Sequence, residues 1–412
     1  MAYGVGVKVK TLIELFDKCQ FENIASGIKF KPEKIVFVGF KEVMTPNRIN
    51  DLRTFLKNRG LQIETEFEVV GRYDFDAIVD RLNYIVDRNE DCFFDLTGGK
   101  ELVLTAMGVV SAERNVPMLQ INIRTGNVIK IKNCEALPDG DKMAVSIDES
   151  ILLNGGCVLR DNDLDIEWDI TDSFRRDVEL MWKICRENCK QWNRQANSFE
   201  AFERYGRVDN TLGVYADLSH VALRGGETFI SNEIINELIK NNFISEYILK
   251  NDIISFRYKN QQIHRCLIKA GNILELYGYI LLKELIAENA TLYNDIDVGV
   301  FADWDGVIHN SYEKQKDTTN EIDLMVMKGL VPVFISCKNG EVKKEALYEL
   351  STVANKLGGK YAKKVLLTTY INRDEDSKKY LLARANEMNI QVIDGVENMS
   401  RDEIKNRLRN RI

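Results

Sequence analysis

The sequence predicts an α/β protein built as two α/β units joined by a mainly helical connector, and three observations carry that prediction. From the amino terminus, short apolar runs alternate with amphipathic helical stretches, the order that builds a doubly wound parallel sheet. Near the carboxy terminus the order is helix, three strands, helix, strand, helix, strand, with a hairpin at its centre. Between them lies a stretch dominated by helical periodicity. The expected boundaries are 1–145, 146–260 and 261–412.

In the first unit, strands are expected at Val9–Phe16, Lys34–Phe40, Gln62–Val70, Asp91–Thr97 and Pro117–Ile123, all rich in apolar and β-branched residues. Helices are expected around Phe21–Ile28, Pro46–Arg59, Phe75–Arg88 and Lys100–Arg114. Open parallel sheets bind ligands beyond the carboxyl ends of their strands. Three polar segments fall there: DKCQFEN (Asp17–Asn23), KEVMT (Lys41–Thr45) and TGGKE (Thr97–Glu101). A Thr-Gly-Gly turn entering a helix leaves backbone N–H groups free and lets a phosphate approach closely. The spacing is neither G-x-G-x-x-G nor that of a P-loop, so no dinucleotide or ATP site is indicated. A tight strand-to-helix turn also needs no ligand.

In the connector, Ser173–Asn193 reads as one helix, and Leu153–Val158 as a turn near a domain boundary. Ser231–Ile244 followed by Ile253–Gln262 reads as a helix and a wing, a winged-helix-like module whose helix is too acidic to favour DNA. Cys185 and Cys189 sit one helical turn apart without a second pair nearby, so they read as buried structural cysteines and not as a zinc site.

In the third unit, Gln262–Glu288 reads as one helix, apolar at Ile263, Leu267, Ala270, Leu274, Tyr277 and Leu281, with Glu275 between Gly271 and Gly278. A strand at Asp295–Trp304 precedes a hairpin of Glu321–Met327 and Val331–Lys338 with Lys328-Gly329 as its turn. A helix at Val342–Leu357, a strand at Lys364–Thr369, a last helix and a strand at Gln391–Gly395 follow. Alternation places Glu321 and Asp323 on one face, and Ile322, Leu324 and Val326 on the other. The loop Lys328–Val331 sets Asp323 opposite Ser336, and Glu321 opposite Lys338. Apolar residues on both faces near the turn imply a sheet covered on both sides.

Charges gathered at one end of a buried sheet cost free energy unless they are paired or hold a metal. A cross-strand salt bridge meets that requirement. So does a hydrolytic site, where carboxylates bind a hard divalent cation and a lysine stabilises charge developing on a phosphodiester. Glu275, Asp323 and Lys338 are the candidates for that chemistry.

The length of 412 residues and 45% hydrophobic content indicate two or three globular units with their own cores. Apolar runs fall short of a membrane span, and the opening MAYGVGVKVK is too short and mixed for a targeting signal. Eight scattered cysteines fit a reducing cytosol. With His220, His264 and His309 as its histidines, the chain offers few candidates for histidine-centred catalysis. A net charge of −7 advertises no global affinity for nucleic acid. Basic residues cluster locally instead, at Lys338, Lys343, Lys344, Lys356, Lys360, Lys363 and Lys364, where they either neutralise phosphates around the candidate site or solvate a helix face.

Glu275, Asp323 and Lys338 on this order of elements resemble the restriction-endonuclease-like, PD-(D/E)xK superfamily. The resemblance makes Asp323 the metal-binding aspartate, Lys338 the catalytic lysine, Glu275 the helix acid and the Cys337 carbonyl a backbone ligand. Glu275, Asp323 and Cys337 would then hold the metal. Ser336 departs from the pattern, which has an acid two residues before the lysine; Glu321 and Glu341 are the carboxylates available in its place.

DLTGGKELVLTAMG resembles the Asn/Asp-Leu-Thr-Gly-Gly stretch of the CARF sensor domain of type III CRISPR ancillary proteins, with Lys100-Glu101 where that family often has Thr-Lys. By that resemblance DKCQFEN is the first-strand ligand loop. The implied binding residues are Asp17, Lys18, Cys19, Gln20, Asn23, Thr45, Thr97, Gly98, Gly99 and Lys100, with Lys100 meeting a phosphate.

The two resemblances cover residues 8–130 and 262–396. They imply a Rossmann-like CARF domain and a restriction-endonuclease-like domain in a cytoplasmic homodimer with no membrane association. They further imply that cyclic oligoadenylate, foremost cyclic tetra-adenylate, binds across the two-fold axis and activates manganese- or magnesium-dependent cutting of single-stranded DNA, RNA or both. A second reading is a ligand-sensing nucleic-acid-binding regulator with a degenerate nuclease-like domain, which Ser336 favours. A third, a restriction or repair endonuclease without an activator, sits poorly with the three polar loops.

Overall fold

The computed structural model describes residues 9–135, 137, 139–160, 168–309, 319–371 and 374–412, so the opening MAYGVGVK lies outside the described residues. In the amino-terminal unit, β1 (Thr11–Leu15), α1 (Gln20–Phe30), β2 (Lys34–Gly39), α2 (Pro46–Asn58), β3 (Glu64–Val69), α3 (Phe75–Asp87), β4 (Cys92–Asp95), α4 (Glu101–Arg114) and β5 (Met118–Ile121) alternate as the sequence predicts. The sheet order is β3-β2-β1-β4-β5-β6, with β6 (Val128–Lys132) an antiparallel edge that the sequence reading omits. Strand order reverses between β1 and β4, which sets the loop after β1 beside the loop after β4.

The chain next forms α5 (Ile147–Leu153), opened by a capping box of Ser146 and Glu149, and β7 (Cys157–Val158). The connector then holds two helices where one is expected, α6 (Asp172–Glu187) and α7 (Cys189–Tyr205). The break falls at Asn188, which leaves the helical region at φ −152° and caps α7 through its side chain. Four strands follow, interleaved with α8 (Leu218–Leu223) and α9 (Asn232–Lys240): β8 (Arg207–Val208), β9 (Gly213–Asp217), β10 (Ile244–Lys250) and β11 (Ile253–Tyr258), in the order β10-β11-β9-β8. The expected helix to Ile244 ends at Lys240, and Ile244 begins a strand, because Asn242 turns the chain with φ +58°.

The carboxy-terminal unit also breaks an expected helix, into α10 (Gln261–Ile268) and α11 (Asn272–Glu288), with Lys269 extended between them. Its remaining elements are β12 (Asp295–Asp303), β13 (Thr319–Lys328), β14 (Val331–Lys338), α12 (Lys344–Gly358), β15 (Lys363–Thr368), α13 (Glu375–Glu387), β16 (Ile390–Asp394) and α14 (Arg401–Arg409). The sheet order is β16-β15-β14-β13-β12-β7, so β7 returns the chain to this sheet before the connector begins.

This sheet is covered on both faces. Met325, Met327 and Phe334 join one core with α12 and the amino-terminal unit, whereas Leu324, Val326, Val333 and Ile335 join another with α11 and the connector. One expectation is corrected here. Ile322 packs with Met325 and not with Leu324 and Val326, so alternation reverses at Asp323. Gly299 of the neighbouring strand, between the pairs Val298↔Leu324 and Val300↔Ile322, takes φ +64° and bends the ladder there.

Phe334 of β14 is fully buried, with its ring against Gly358 at the end of α12. Phe334→Ala is expected to lower the unfolding free energy by about 3–5 kcal/mol through the cavity it leaves, seen as an earlier denaturant midpoint with an unchanged slope.

Candidate active site and ligand loop

The β13–β14 hairpin closes through Gly329, at φ +61°, and pairs in register from Lys328↔Val331 to Leu324↔Ile335. Beyond that pair the ladder gives way to side chains. Asp323 Oδ2 accepts hydrogen bonds from the Cys337 amide at 2.6 Å and from Ser336 Oγ at 3.2 Å, and lies 3.6 Å from Lys338 Nζ. Ser336, in the position where the motif has an acid, therefore serves as a donor that helps to hold Asp323.

Glu275 stands in the first turn of α11 and is 7% exposed. Its carboxyl is pushed up to about 8, first by burial and then by the charge of Asp323, with Lys269 and Lys338 pulling it back. Burial lowers the Lys338 ammonium, but Asp323, Glu275 and Glu349 of α12 more than offset it and keep it charged. Glu321 is ion-paired to Lys269 at 3.0 Å, in place of the expected Lys338. Both Lys269 and Glu349 escape the sequence reading. The break between α10 and α11 delivers Lys269, and the local signal for it was Gly271, whose added Cβ would come within 3.1 Å of Glu275 Oε1.

Glu275, Asp323, Lys338 and Glu321 are thus brought to one end of the sheet, while Glu341 is exposed in the loop after β14. Among the described residues, no three His, Cys, Asp or Glu side chains gather tightly enough to hold a metal by themselves. The donor set available is two carboxylates and the Cys337 carbonyl, which points to the Asp323 side of β14 as its amide does. Hard oxygen donors of this kind suit magnesium or manganese, and the repulsion between Glu275 and Asp323 is what a divalent cation relieves.

The lysines expected around the site are dispersed. Parallel pairing sets Val333 beside Lys363 and Lys338 beside Thr368, so Lys363 and Lys364 start β15 at the opposite end from Lys338. Lys364 donates to Ser351, Lys356 lies near Asp51, and Lys360 contacts the amino-terminal unit. They do not surround the acids.

The connector steadies the lysine strand. Asn193 of α7 exchanges hydrogen bonds with Asn339, and Asn339 Nδ2 also donates to Cys185 Sγ at 3.3 Å.

In the amino-terminal unit, Asn23 ties the loop after β1 together: its Oδ1 accepts from the Asp17 amide at 2.8 Å and its Nδ2 donates to the Asp17 carbonyl. Asp17 caps the Cys19 amide, and Gln20 spans to the Arg48 carbonyl. Cys19 is buried, which pushes its thiol up to about 12 and leaves it inert. Thr45 opens α2, its amide bonded to Val43. Thr97 donates to Asp95 and accepts the Ile121 amide, fixing the glycine turn; Gly99 takes φ +137°. A hollow of 120 Å³ between these loops is lined by Asp17, Lys18, Arg72 and Lys100. Arg72 is an addition that its strand-end position signalled.

No protein-family model and no curated protein matches the chain. Among solved structures, Can2 from Sulfobacillus thermosulfidooxidans in complex with cyclic tetra-adenylate aligns with a TM-score of 0.69 at 16% identity, covering 98% of this chain and 99% of that one. Protein VC1899 from Vibrio cholerae aligns with a TM-score of 0.72 at 14% identity, covering 98% of this chain and 97% of that one. The likeness shows that this chain shares their fold over the aligned length.

Glu275 binds its proton more tightly folded than unfolded, so the folded state loses stability as pH rises from 4.5 toward about 8. In chelator, Glu275→Gln should gain on the wild type across that window, by roughly a few kcal/mol. Denaturation midpoints measured from about pH 4 to 9 decide it: parallel curves for the two proteins would mean that Glu275 is not strained.

Proposed function

We propose that the protein is a metal-dependent endonuclease of the type III CRISPR ancillary class, switched on by cyclic tetra-adenylate and cutting single-stranded DNA, RNA or both. The observation that carries the reading is the pairing on one chain of the Asp323–Lys338–Glu275 cluster with a glycine turn at a doubly wound switch point. Can2 shares this fold and was solved with cyclic tetra-adenylate, which supports the choice of activator.

Glu275, Asp323 and the Cys337 carbonyl would hold a divalent cation, which would supply an activated water and polarise the phosphate. Lys338, kept protonated by its acids, stabilises charge building on the phosphate oxygens. Ser336 and the Cys337 amide orient Asp323. Lys269 pairs with Glu321, so that Lys338 is left with Asp323 as its ion-pair partner at the site.

The 120 Å³ hollow is far smaller than the about 300–1,000 Å³ of small-molecule sites. A cyclic tetranucleotide would need the matching surface of a second copy, which supports a homodimer with the ligand on its two-fold axis. The regulator reading retains one supporting observation, Ser336 where an acid would complete the usual carboxylate set.

Asp323→Ala and Lys338→Ala are each expected to reduce manganese-dependent cleavage at saturating cyclic tetra-adenylate by roughly a hundredfold or more, with ligand binding intact. Lys100→Ala should raise the activator concentration for half-maximal cleavage about tenfold. Full cleavage by the Asp323 variant would remove the site; an unmoved activation curve for the Lys100 variant would remove that lysine from the sensor.

A further inference from the structure

The loop after β1 is met from outside by the carboxy-terminal unit. Lys360 Nζ, in the 3-10 turn Gly359–Tyr361 that leads into β15, lies 2.7 Å from Glu22 Oε2 and 3.9 Å from Asp17 Oδ1. Tyr361 Oη donates to Glu22 Oε1 at 2.6 Å. A Cβ added at Gly98, in the glycine turn, would come within 3.2 Å of Glu22 Oε2 and of Asp17 Cβ, so Lys360 is one residue removed from that turn.

The two partners of the ion pair are unequal. The Glu22 side chain is 4% exposed and wedged under Gly98, whereas that of Lys360 is 51% exposed. The contact between them is close but poorly directed, and Glu22 Oε2 receives no hydrogen bond of good geometry. The acid cannot leave; the lysine can. If it does, Glu22 keeps the Tyr361 hydroxyl.

We propose that Lys360 is a ligand-binding residue of the amino-terminal site contributed by the carboxy-terminal unit, held by Glu22 in the free protein and given up to a phosphate of the ligand at the glycine turn. The inference rests on the sensor reading above and adds to it the residue through which occupancy is felt across the units. An anion at Gly98 would arrive beside Glu22 Oε2, the group that holds Lys360, and so would compete with it for one cation. Lys360 stands three residues before the first residue of β15, whose Thr368 pairs with Lys338 at the far end. A shift of the 3-10 turn is therefore passed along a strand that borders the lysine.

The prediction is one of opposite signs. Calorimetric titration of the full-length protein with cyclic tetra-adenylate should give a Kd raised about tenfold by Lys360→Met, because a charged contact to phosphate is lost. Glu22→Gln, which preserves an acceptor for Tyr361, should lower Kd about threefold by releasing Lys360. Lys360→Arg keeps the cation and should stay within about threefold of the wild type; thermal melts verify that each variant is folded. An ion pair with a structural role would move both Kd values in the same direction or neither, and either result overturns the proposal while the wild type still binds. Failure of the wild type to bind would take down the sensor reading, and this inference with it.

Discussion

The register of one hairpin, β13 against β14, is the constraint on which the rest depends. A side-chain period of two means that a slip by one residue would turn Asp323 and Lys338 to the wrong faces and exchange Leu324 and Ile335 between the two cores. The turn at Gly329 sets that register, and the packing of both faces enforces it. Where the backbone pairing ends, the Cys337 amide takes over and bonds Asp323 directly. The acid and the lysine are therefore positioned by the same ladder that builds the core, with no flexible loop between them.

The same sheet explains how two distant sites can belong to one mechanism. One face is welded to α12 and the amino-terminal unit, the other to α11 and the connector. Glu275 reaches the cluster from the connector side, and the 3-10 turn before β15 touches the loop after β1 from the opposite end. A rearrangement between the units can thus act on the sheet through a rigid element. The strained member is Glu275, a buried acid beside another acid.

The architecture was largely legible in the sequence, because strand alternation and the Lys328-Gly329 turn are short-range signals that tertiary packing reinforces. The meeting of Asp323 with Lys338 was legible for the same reason, and the glycines flanking Glu275 on its helix marked the acid that joins them. What escaped has physical causes. Apolar periodicity runs straight across the breaks at Asn188 and Lys269, so each pair of helices reads as one, and nothing in the pattern marks Lys269 as the partner of Glu321. Lys360, Lys363 and Lys364 are near Lys338 in sequence, yet a parallel strand carries them to the other end of the sheet. The reversal of faces at Ile322 depends on a left-handed Gly299 in a neighbouring strand, which a single-strand pattern does not reveal.

The central claim is that occupancy of the amino-terminal site governs chemistry at Asp323 and Lys338. The most direct measurement titrates cyclic tetra-adenylate into the wild-type protein with manganese and labelled single-stranded DNA and RNA, following ligand binding and strand cleavage in the same samples. The account predicts that cleavage is absent without the ligand and rises in step with occupancy. Full-rate cleavage without ligand, or saturated binding with no cleavage of either strand type, would contradict it.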